Sequence, residues 1–222
     1  MDGYAAIAFD LDGTVADTPE LITDIMAGIL TELGVSADRA AIRATIGTPL
    51  IASFATLIGE DDPRVAEAAV TYRGRFDVQA KQRGTALLFP GVVDGLTRLR
   101  AAGVRLSIGT SKSNAAASLV LDSCGISDFF QTVVGFDDVA SGKPAPDTAL
   151  LAAQRLDVDP ARCLVVGDAI GDMRMGVSAG MRALGVSYGV AIEADLLAAG
   201  ADRVVHGFGE VVDYALAAWQ AP

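Results

Sequence analysis

Two aspartates spaced two residues apart, Asp10 and Asp12, are the residues of this sequence best suited to chemistry. They follow the apolar run at residues 5–9 and precede Gly13, whose backbone can turn sharply. Carboxylates this close repel each other unless a cation or a shared proton lies between them, which indicates a metal ion and divided roles. One could stay ionised as a nucleophile or metal ligand while the other transfers a proton. Such strings also occur in plain turns, so the interpretation depends on the rest of the chain.

Further polar groups follow three other apolar runs, each of which predicts a strand. They are Thr110 and Ser111 after residues 104–109, Lys143 after residues 132–134, and Asp168 and Asp172 after residues 163–166. In open parallel sheets, ligands bind at the carboxyl ends of the strands. We therefore expect these side chains to surround one site together with the first two aspartates.

The order of these motifs, from Asp10 to Asp172, resembles the haloacid dehalogenase-like superfamily of phosphohydrolases. The matching strings are Asp-x-Asp-Gly-Thr, a single Thr, a single Lys and Gly-Asp-x-x-x-Asp. Residues 143–147, Lys-Pro-Ala-Pro-Asp, are most similar to the phosphoglycolate phosphatase branch. The resemblance implies a Mg²⁺-dependent phosphatase for a small phosphate monoester. It also implies an α/β fold, a Rossmann-like parallel-sheet core with helices on both faces and an inserted α-helical cap domain.

Catalytic roles follow from the same resemblance. Asp10 would attack phosphorus and form an aspartyl-phosphate, while Asp12 would protonate the leaving alkoxide and later take a proton from water. The phosphoryl oxygens need donors, and the Thr110 hydroxyl and Lys143 are candidates. The backbone N–H of Ser111 is a third, because we expect it at the start of the following helix, where anions are favoured.

The metal site is expected to hold Mg²⁺, which prefers oxygen ligands and retains several waters. The resemblance implies a carboxylate oxygen of Asp10, the backbone carbonyl of Asp12 and the carboxylate of Asp168 as ligands. Asp172 lies four residues after Asp168, one turn along a predicted helix, so its carboxylate can reach the ion or its waters.

The elements that position these residues are predicted from changes in hydrophobic period. Strand patterns stop after Thr14 and resume near Leu87. Three helical patterns lie between, opened by X-Pro pairs at residues 18–19, 48–49 and 62–63. Strands and helices then alternate, which predicts a parallel sheet covered by helices on both faces. We therefore expect a catalytic core of residues 1–14 and 86–222, with residues 15–85 as a helical cap over the site.

Polar residues of the predicted cap are candidates for substrate contact. Thr48 follows Gly47 in a turn where the superfamily places a specificity loop, so it is a candidate substrate-binding residue. The charged candidates are Arg43, Arg73, Arg75, Lys81 and Arg83, and solvated helix faces are the alternative for most of them. Lys112 or a cap arginine could balance the carboxylate of phosphoglycolate.

Composition limits the classes of partner. The 222 residues are 51% apolar and 20% charged, with a formal charge of −11, which argues against nucleic-acid binding. No signal-peptide pattern and no apolar run of ~20 residues is present, so no membrane span is expected. We expect a cytoplasmic monomer or homodimer acting on a small phosphorylated metabolite. Cys124 and Cys163 are expected to be buried thiols, and His206 is expected in a surface loop.

Several functions remain open at this point. Asp12 argues against haloacid dehalogenases and phosphonatases, because those relatives lack the second aspartate. A nucleotidase- or pyrophosphatase-like hydrolase and a sugar phosphomutase would keep all four motifs. A non-catalytic phosphate-binding module on the same fold is a different class, although such a module would normally have lost a catalytic acid.

Overall fold

A six-stranded sheet, all of whose pairings are parallel, carries the polar residues singled out by the sequence. A computed structural model of the chain describes residues 4–218, so residues 1–3 and 219–222 of the predicted core lie outside the described residues. The strand order is β3-β2-β1-β4-β5-β6. The strands are β1 (Ala6–Phe9), β2 (Arg105–Gly109), β3 (Thr132–Val134), β4 (Cys163–Gly167), β5 (Arg182–Val186) and β6 (Arg203–Val205).

The helices fall into two groups along the chain. The first four follow β1 directly, and the others precede or follow strands β2 to β6. The first group is α1 (Pro19–Glu32), α2 (Arg39–Arg43), α3 (Leu50–Ile58) and α4 (Arg64–Arg83). The second group is α5 (Val92–Ala101), α6 (Asn114–Ser123), α7 (Asp147–Leu156), α8 (Ile170–Ser178), α9 (Glu193–Ala198) and α10 (Phe208–Ala218).

Both faces of the sheet are buried by helices. Successive strand side chains point to opposite faces. Ile7 and Phe9 accordingly join the cluster that contains α5 and α10, where Phe9 stacks on Phe208 at 5.6 Å between ring centroids. Ala6 and Ala8 face the opposite way and join the cluster of α7 and α8. The predicted Rossmann-like α/β core is therefore confirmed, with β1 at its centre.

The first four helices, α1 to α4, pack on one another, with α1 and α3 both in contact with α4. They occupy the segment predicted as a cap, and α2 is a helix that the sequence did not predict. Five residues are too few to show a hydrophobic period. The helix is instead fixed by Asp38, whose side chain accepts the Ala41 N–H at 2.6 Å. Within residues 4–218, no helix combines the length and the apolar composition that crossing a membrane requires.

The strand expected near Leu87 is wrong. Residues Gly84–Leu87 form a 3₁₀ turn, and Leu88 makes only an isolated antiparallel bridge to Ala16. The apolar side chains of this segment bury against residues that leave β1, and the Leu87 carbonyl accepts the Asp17 N–H at 2.6 Å. The apolar run thus closes the base of the inserted helices rather than extending the sheet.

Candidate active site

The predicted site residues meet at one edge of the sheet. Asp10 follows β1, Thr110 follows β2 and Asp168 follows β4, and these three strands are neighbours. Lys143 reaches the same edge from the long loop after β3. The strand ladder continues into the site, because the Asp10 N–H donates to the Val166 carbonyl at 2.8 Å. The nucleophile candidate is therefore held by the sheet itself.

Lys143 lies between two carboxylates. Its Nζ is 2.5 Å from Asp10 Oδ1 and 2.7 Å from Asp172 Oδ1. Burial alone would lower the pKa of Lys143, but the charges of Asp10 and Asp172 outweigh it and raise the pKa above its ordinary value. The ammonium therefore stays protonated and fixes one oxygen of Asp10, leaving the other oxygen of that carboxylate unbridged by Lys143.

Asp168 is held by hydrogen bonds to both carboxylate oxygens. The Thr14 hydroxyl donates to Oδ1 and the Val190 N–H donates to Oδ2, each at 2.8 Å. Two glycines leave the space for this side chain, since a Cβ at Gly13 or Gly189 would lie 2.2 Å from Asp168 Oδ2. Sequence reasoning missed Thr14 and Val190 as partners. The Thr of the Asp-x-Asp-Gly-Thr string was the available signal for the first.

Three buried or nearly buried carboxylates lie close together, and Lys143 pairs with two of them. Asp10, Asp168 and Asp172 each offer an oxygen, and these oxygens lie within 4.8 Å of one another. Burial raises the pKa of Asp10 to about 7, with Lys143 opposing and Asp172 adding to the rise. Burial likewise raises the pKa of Asp168 well above its usual range. Such a set is costly without a further cation, and its oxygen donors fit Mg²⁺.

Asp172 has protein partners for both of its oxygens. Oδ2 accepts the Ala169 N–H at 3.0 Å, which caps the first turn of α8, and Oδ1 pairs with Lys143. Gly167 leaves the space for this side chain, since a Cβ there would lie 2.4 Å from it. The geometry thus gives Asp172 a direct part in positioning Lys143, in addition to its proximity to Asp10 and Asp168.

Asp12 has partners different from those of Asp10. Thr18 donates its hydroxyl to Asp12 Oδ1 at 2.5 Å, and Lys112 Nζ lies 3.1 Å from Asp12 Oδ2. Thr18 occupies the N-cap position of α1 but makes no side-chain capping bond, and its hydroxyl donates to Asp12. Sequence reasoning read Thr18 only as a helix start. Apart from their separation of six residues, nothing in the sequence predicted the contact between Thr18 and Asp12.

The expectation that Ser111 begins a helix is wrong. Helix α6 begins at Asn114, because Ser113 is extended and its side chain accepts the Ala116 N–H at 3.3 Å. Ser111 instead donates its hydroxyl to the Gly47 carbonyl at 2.7 Å, which joins the inserted helices to the edge of the sheet.

Backbone N–H groups near the aspartates are free to bind an anion. Within residues 4–218, those of Leu11, Asp12 and Ser111 have no hydrogen-bond acceptor. Leu11 and Asp12 were missed as donors, although a turn directly after a strand leaves such groups without ladder partners. Thr110 is buried, and its Oγ1 accepts the Lys112 N–H at 3.2 Å, so its own hydrogen remains available.

Thr48 lies in the loop facing the aspartates, and both lobes of the cavity described below touch it. Its hydroxyl donates to the Thr45 carbonyl at 2.7 Å and lies 2.8 Å from Ser53 Oγ. These bonds fix the turn that carries Gly47. Thr48 can therefore accept a hydrogen bond from a ligand, but its hydroxyl proton is already used.

Of the charged candidates in the inserted helices, only two lie near the site. Arg73 lines the cavity, and Arg43 donates to the Gly189 carbonyl at 3.3 Å while pairing with Glu20. Arg75 pairs with Glu32 at 2.7 Å on the surface. Lys81 and Arg83 are exposed near the end of α4 and do not line the cavity.

The cavity has two lobes that meet at Asp10, Asp12 and residues 46–48. The core lobe, about 950 Å³ including its open mouth, is also lined by Lys143, Asp168 and Asp172. The cap-side lobe, about 780 Å³ on the same basis, extends between α1, α3, α4 and the loop after β2. Its apolar walls are Ile22, Met26, Leu50, Tyr72, Phe76 and Phe136. Asp12 therefore stands between a polar, acidic lobe and a largely apolar one.

The remaining sequence candidates lie where they were expected. His206 is exposed, with Nδ1 2.7 Å from Ser187 Oγ, and both cysteines are buried and unpaired. Outside these candidates, Asp137 accepts the Asn114 N–H at 2.7 Å and Asp138 accepts the Gly135 N–H at 2.9 Å, so these two acids cap local turns.

Comparisons with known proteins agree on one family. The family model described as haloacid dehalogenase-like hydrolase matches residues 7–186. A curated relative from Dickeya dadantii (strain 3937), named Probable phosphatase IndB, is 41% identical over 93% of this chain and 91% of its own length. A phosphoglycolate phosphatase from Escherichia coli O157:H7 is 32% identical over 85% of this chain and 83% of its own length.

The fold of a solved relative agrees over nearly the whole chain. A haloacid dehalogenase-like family hydrolase from Streptococcus pneumoniae superposes with a TM-score of 0.81 at 31% identity. The superposition covers 95% of this chain and 98% of that one. The match therefore includes the inserted helices as well as the sheet.

Proposed function

We propose that this chain, a phosphatase of the haloacid dehalogenase-like hydrolase family, hydrolyses a small phosphate monoester through an aspartyl-phosphate on Asp10. The proposed cofactor is Mg²⁺. The arrangement that carries the proposal is the pair of differently held aspartates. Asp10 is fixed by Lys143 at 2.5 Å in an acidic, buried lobe. Asp12 is held by Thr18 and Lys112 at the entrance of a second lobe, where a leaving group can lie.

The first half of the reaction transfers the phosphoryl group. The oxygen of Asp10 that Lys143 does not hold attacks phosphorus as the bond to the ester oxygen breaks. Asp12 gives its proton to that oxygen, so the product leaves as a neutral alcohol. Lys143 and the Thr110 hydroxyl bind the phosphoryl oxygens, together with the backbone N–H groups of Ser111 and the turn after β1.

The second half releases inorganic phosphate. Asp12, now a carboxylate, takes a proton from water, and the resulting hydroxide attacks the phosphorus of the acyl phosphate. The bond between phosphorus and Asp10 breaks, which regenerates the Asp10 carboxylate. Thr18 and Lys112 keep Asp12 oriented in both halves, because each contacts a different oxygen of its carboxylate.

We assign the Mg²⁺ site to Asp10, Asp168 and the backbone carbonyl of Asp12, with Asp172 at or beside it. Bound there, the ion supplies positive charge that neutralises the carboxylates and the phosphate dianion. Thr14 and Val190 orient Asp168 for this role through the two hydrogen bonds to its oxygens. Asp172 also holds Lys143 in place.

We also propose the predicted division into a core of residues 1–14 and 86–222 and a cap of residues 15–85. The bond from Ser111 to the Gly47 carbonyl and the contact of Lys112 with Phe76 of α4 support a closed arrangement over the aspartates. Closure excludes bulk water and favours small phosphorylated metabolites over phosphoproteins. Phosphoglycolate belongs on the first substrate panel, because a relative carries that name.

The experiment that tests the proposal looks for the covalent intermediate. Asp12→Asn protein is mixed with p-nitrophenyl phosphate and Mg²⁺, quenched in acid and digested. Mass spectrometry should find one phosphoryl group on the peptide containing Asp10, and hydroxylamine should remove it, as expected for an acyl phosphate. The Asp10→Asn variant is the control. The covalent route would be contradicted if the wild-type protein turned over the ester while the Asp12→Asn variant formed product without any label on Asp10.

A further inference from the structure

The cap-side lobe defines the leaving group. Asp12 lies, with Asp10, at the boundary between this lobe and the core lobe that Lys143 lines. If Asp12 protonates the ester oxygen, the alcohol part of the substrate must extend away from phosphorus into the cap-side lobe. The inference below therefore rests on the proposed phosphatase reaction, and it concerns which alcohol fits.

The walls of the lobe favour an apolar body. Met26, Tyr72 and Phe76 line it with 1%, 5% and 3% of their surfaces exposed, so they are fixed by packing and leave an apolar lining. Tyr72 and Phe76 stack at 5.6 Å between ring centroids, and Phe54 packs against the edge of Tyr72 at 6.2 Å. These contacts make a rigid aromatic wall beside Asp12.

The cation beside Asp12 in this lobe is already paired. Lys112 contacts Asp12, and its ammonium lies 4.2 Å from the centre of the Phe76 ring. Arg73 also lines the lobe, but it is exposed, and Asp77 brings the opposite charge four residues further along α4. The glycolate carboxylate would meet Lys112 only by competing with Asp12. An uncharged leaving group avoids that competition.

The hydroxyl groups on the cap side of the lobe are mostly used within the protein. Thr45 and Thr48 donate to carbonyls of the cap, at 2.7 Å each, and Ser53 contacts carbonyls of the same turn. A sugar would therefore recover few hydrogen bonds from the cap in exchange for those it loses to water. Within residues 4–218 the Tyr72 hydroxyl has no hydrogen-bond partner, although the residue is buried in the aromatic wall.

We propose that the physiological leaving group is an uncharged alcohol that carries an aromatic or heteroaromatic ring, with a hydrogen-bonding ring atom or substituent paired to the Tyr72 hydroxyl. The ring occupies the space between Met26 and the Tyr72–Phe76 wall, and the alcohol oxygen lies at Asp12. Tyr72 is thereby a specificity-determining residue for the phosphatase reaction.

The first test compares kcat/KM for three esters of unactivated alcohols: benzyl phosphate, phosphoglycolate and glucose 6-phosphate. Acetyl phosphate serves as a small reference substrate that needs no leaving-group pocket. We expect benzyl phosphate to exceed each of the other two esters by about 10-fold or more, since apolar groups discriminate on this scale. Equal or higher kcat/KM for phosphoglycolate or glucose 6-phosphate would overturn the inference.

The second test isolates Tyr72. The three isomers of pyridylmethyl phosphate have nearly the shape of benzyl phosphate and add one ring acceptor. At least one isomer should exceed benzyl phosphate in kcat/KM for the wild type by about 5- to 10-fold, as expected for one buried hydrogen bond. Tyr72→Phe should abolish that preference, whereas the same change at the remote Tyr214 should keep it. A preference that survives in Tyr72→Phe would remove Tyr72 from the proposal.

A binding measurement separates failure of this inference from failure of the proposed function. Benzylphosphonate and phosphonoacetate cannot be hydrolysed, and their affinities can be compared by calorimetry in Mg²⁺. Hydrolysis of acetyl phosphate with tighter binding of phosphonoacetate would leave the phosphatase reaction intact and overturn the ring preference. An absence of acetyl phosphate hydrolysis would count against the reaction, and tighter binding of benzylphosphonate would still support the ring pocket.

Discussion

At the scale of single residues, Asp10 and Asp12 differ because their partners differ. Asp10 lies in the acidic lobe, where burial raises its pKa to about 7 in the absence of a metal ion, and Lys143 opposes that rise. Asp12 receives a hydroxyl from Thr18 and the ammonium of Lys112, at the boundary of the apolar lobe. These different surroundings support the proposed roles of Asp10 as nucleophile and of Asp12 as proton carrier.

Asp10→Asn keeps the size and polarity of the side chain but removes the attacking charge. We expect kcat to fall by at least ~10³-fold with the fold retained, since Lys143 keeps its pairing with Asp172. Steady-state kinetics with p-nitrophenyl phosphate measure the loss, and circular dichroism checks the fold. Asp61→Asn is the matched control, because Asp61 is exposed and outside the cavity. A folded Asp10→Asn variant with a tenth of wild-type activity would exclude Asp10 as nucleophile.

Asp12→Asn should reduce turnover unequally among substrates. The p-nitrophenolate group leaves without a proton, whereas an ordinary alkoxide needs one, so the variant should lose more activity on benzyl phosphate than on p-nitrophenyl phosphate. The comparison applies where phosphoryl transfer limits the rate, which the absence of a pre-steady-state burst of the first product establishes. Equal losses on both substrates under that condition would remove Asp12 from the acid role.

At the scale of elements, each candidate catalytic group follows a strand or lies in the first turn of a helix. The sequence predicted this placement because an apolar run followed by a polar motif is a local pattern, and the parallel order brings the strand ends together. Contacts across the chain were not predictable in the same way. Thr18 with Asp12, Arg43 with the Gly189 carbonyl, and Ser111 with the Gly47 carbonyl depend on how the inserted helices pack. Short elements such as α2 also escape a reading based on periodicity.

The packing of α5 on α10 makes an element-scale prediction. A Cβ at Gly95 of α5 would lie 2.7 Å from the Phe208 ring and 2.8 Å from Val212, both on α10. Gly95→Ala should lower the free energy of unfolding by about 1–3 kcal/mol, the usual cost of overpacking a core. Urea denaturation followed by circular dichroism measures the change.

Gly74 provides the matched control for that change. It lies in α4, where an added Cβ would have nothing within 4 Å beyond its own stretch of helix. Gly74→Ala should therefore raise the free energy of unfolding by about 0.5–1 kcal/mol through helix propensity. The same substitution is thus expected to have opposite signs in two helices. Stabilisation by Gly95→Ala would show that α10 moves away from α5 without cost.

At the scale of the whole molecule, a chain of charge −11 must bind a dianion. The site resolves this conflict locally, with Lys143 in the core lobe and a proposed Mg²⁺ between the carboxylates. The inserted helices contribute a different property, an apolar lobe closed by the turn that carries Gly47 and Thr48. We therefore expect metal dependence and substrate preference to belong to separate parts of the molecule and to respond to separate substitutions.

Two variants and two readouts test that separation. Asp168→Ala removes a proposed metal ligand, so the Mg²⁺ concentration for half-maximal activity should rise by about 10-fold or more. The ratio of kcat/KM for benzyl phosphate to kcat/KM for acetyl phosphate should change little in this variant. Thr48→Val keeps the shape of the side chain but removes its hydrogen bond to the Thr45 carbonyl. It should shift the substrate ratio several-fold and leave the Mg²⁺ requirement unchanged.

Metal removal completes the argument for the wild-type protein. Without a divalent cation, the carboxylates repel one another and the phosphate dianion, so protein stripped with EDTA should be inactive and Mg²⁺ should restore it. Ca²⁺ should inhibit, because its larger and looser coordination can engage both oxygens of Asp10 and prevent in-line attack. Full activity after verified metal removal would contradict the proposed site. A Thr48→Val variant whose Mg²⁺ requirement rises as much as that of Asp168→Ala would contradict the separation of cap and core.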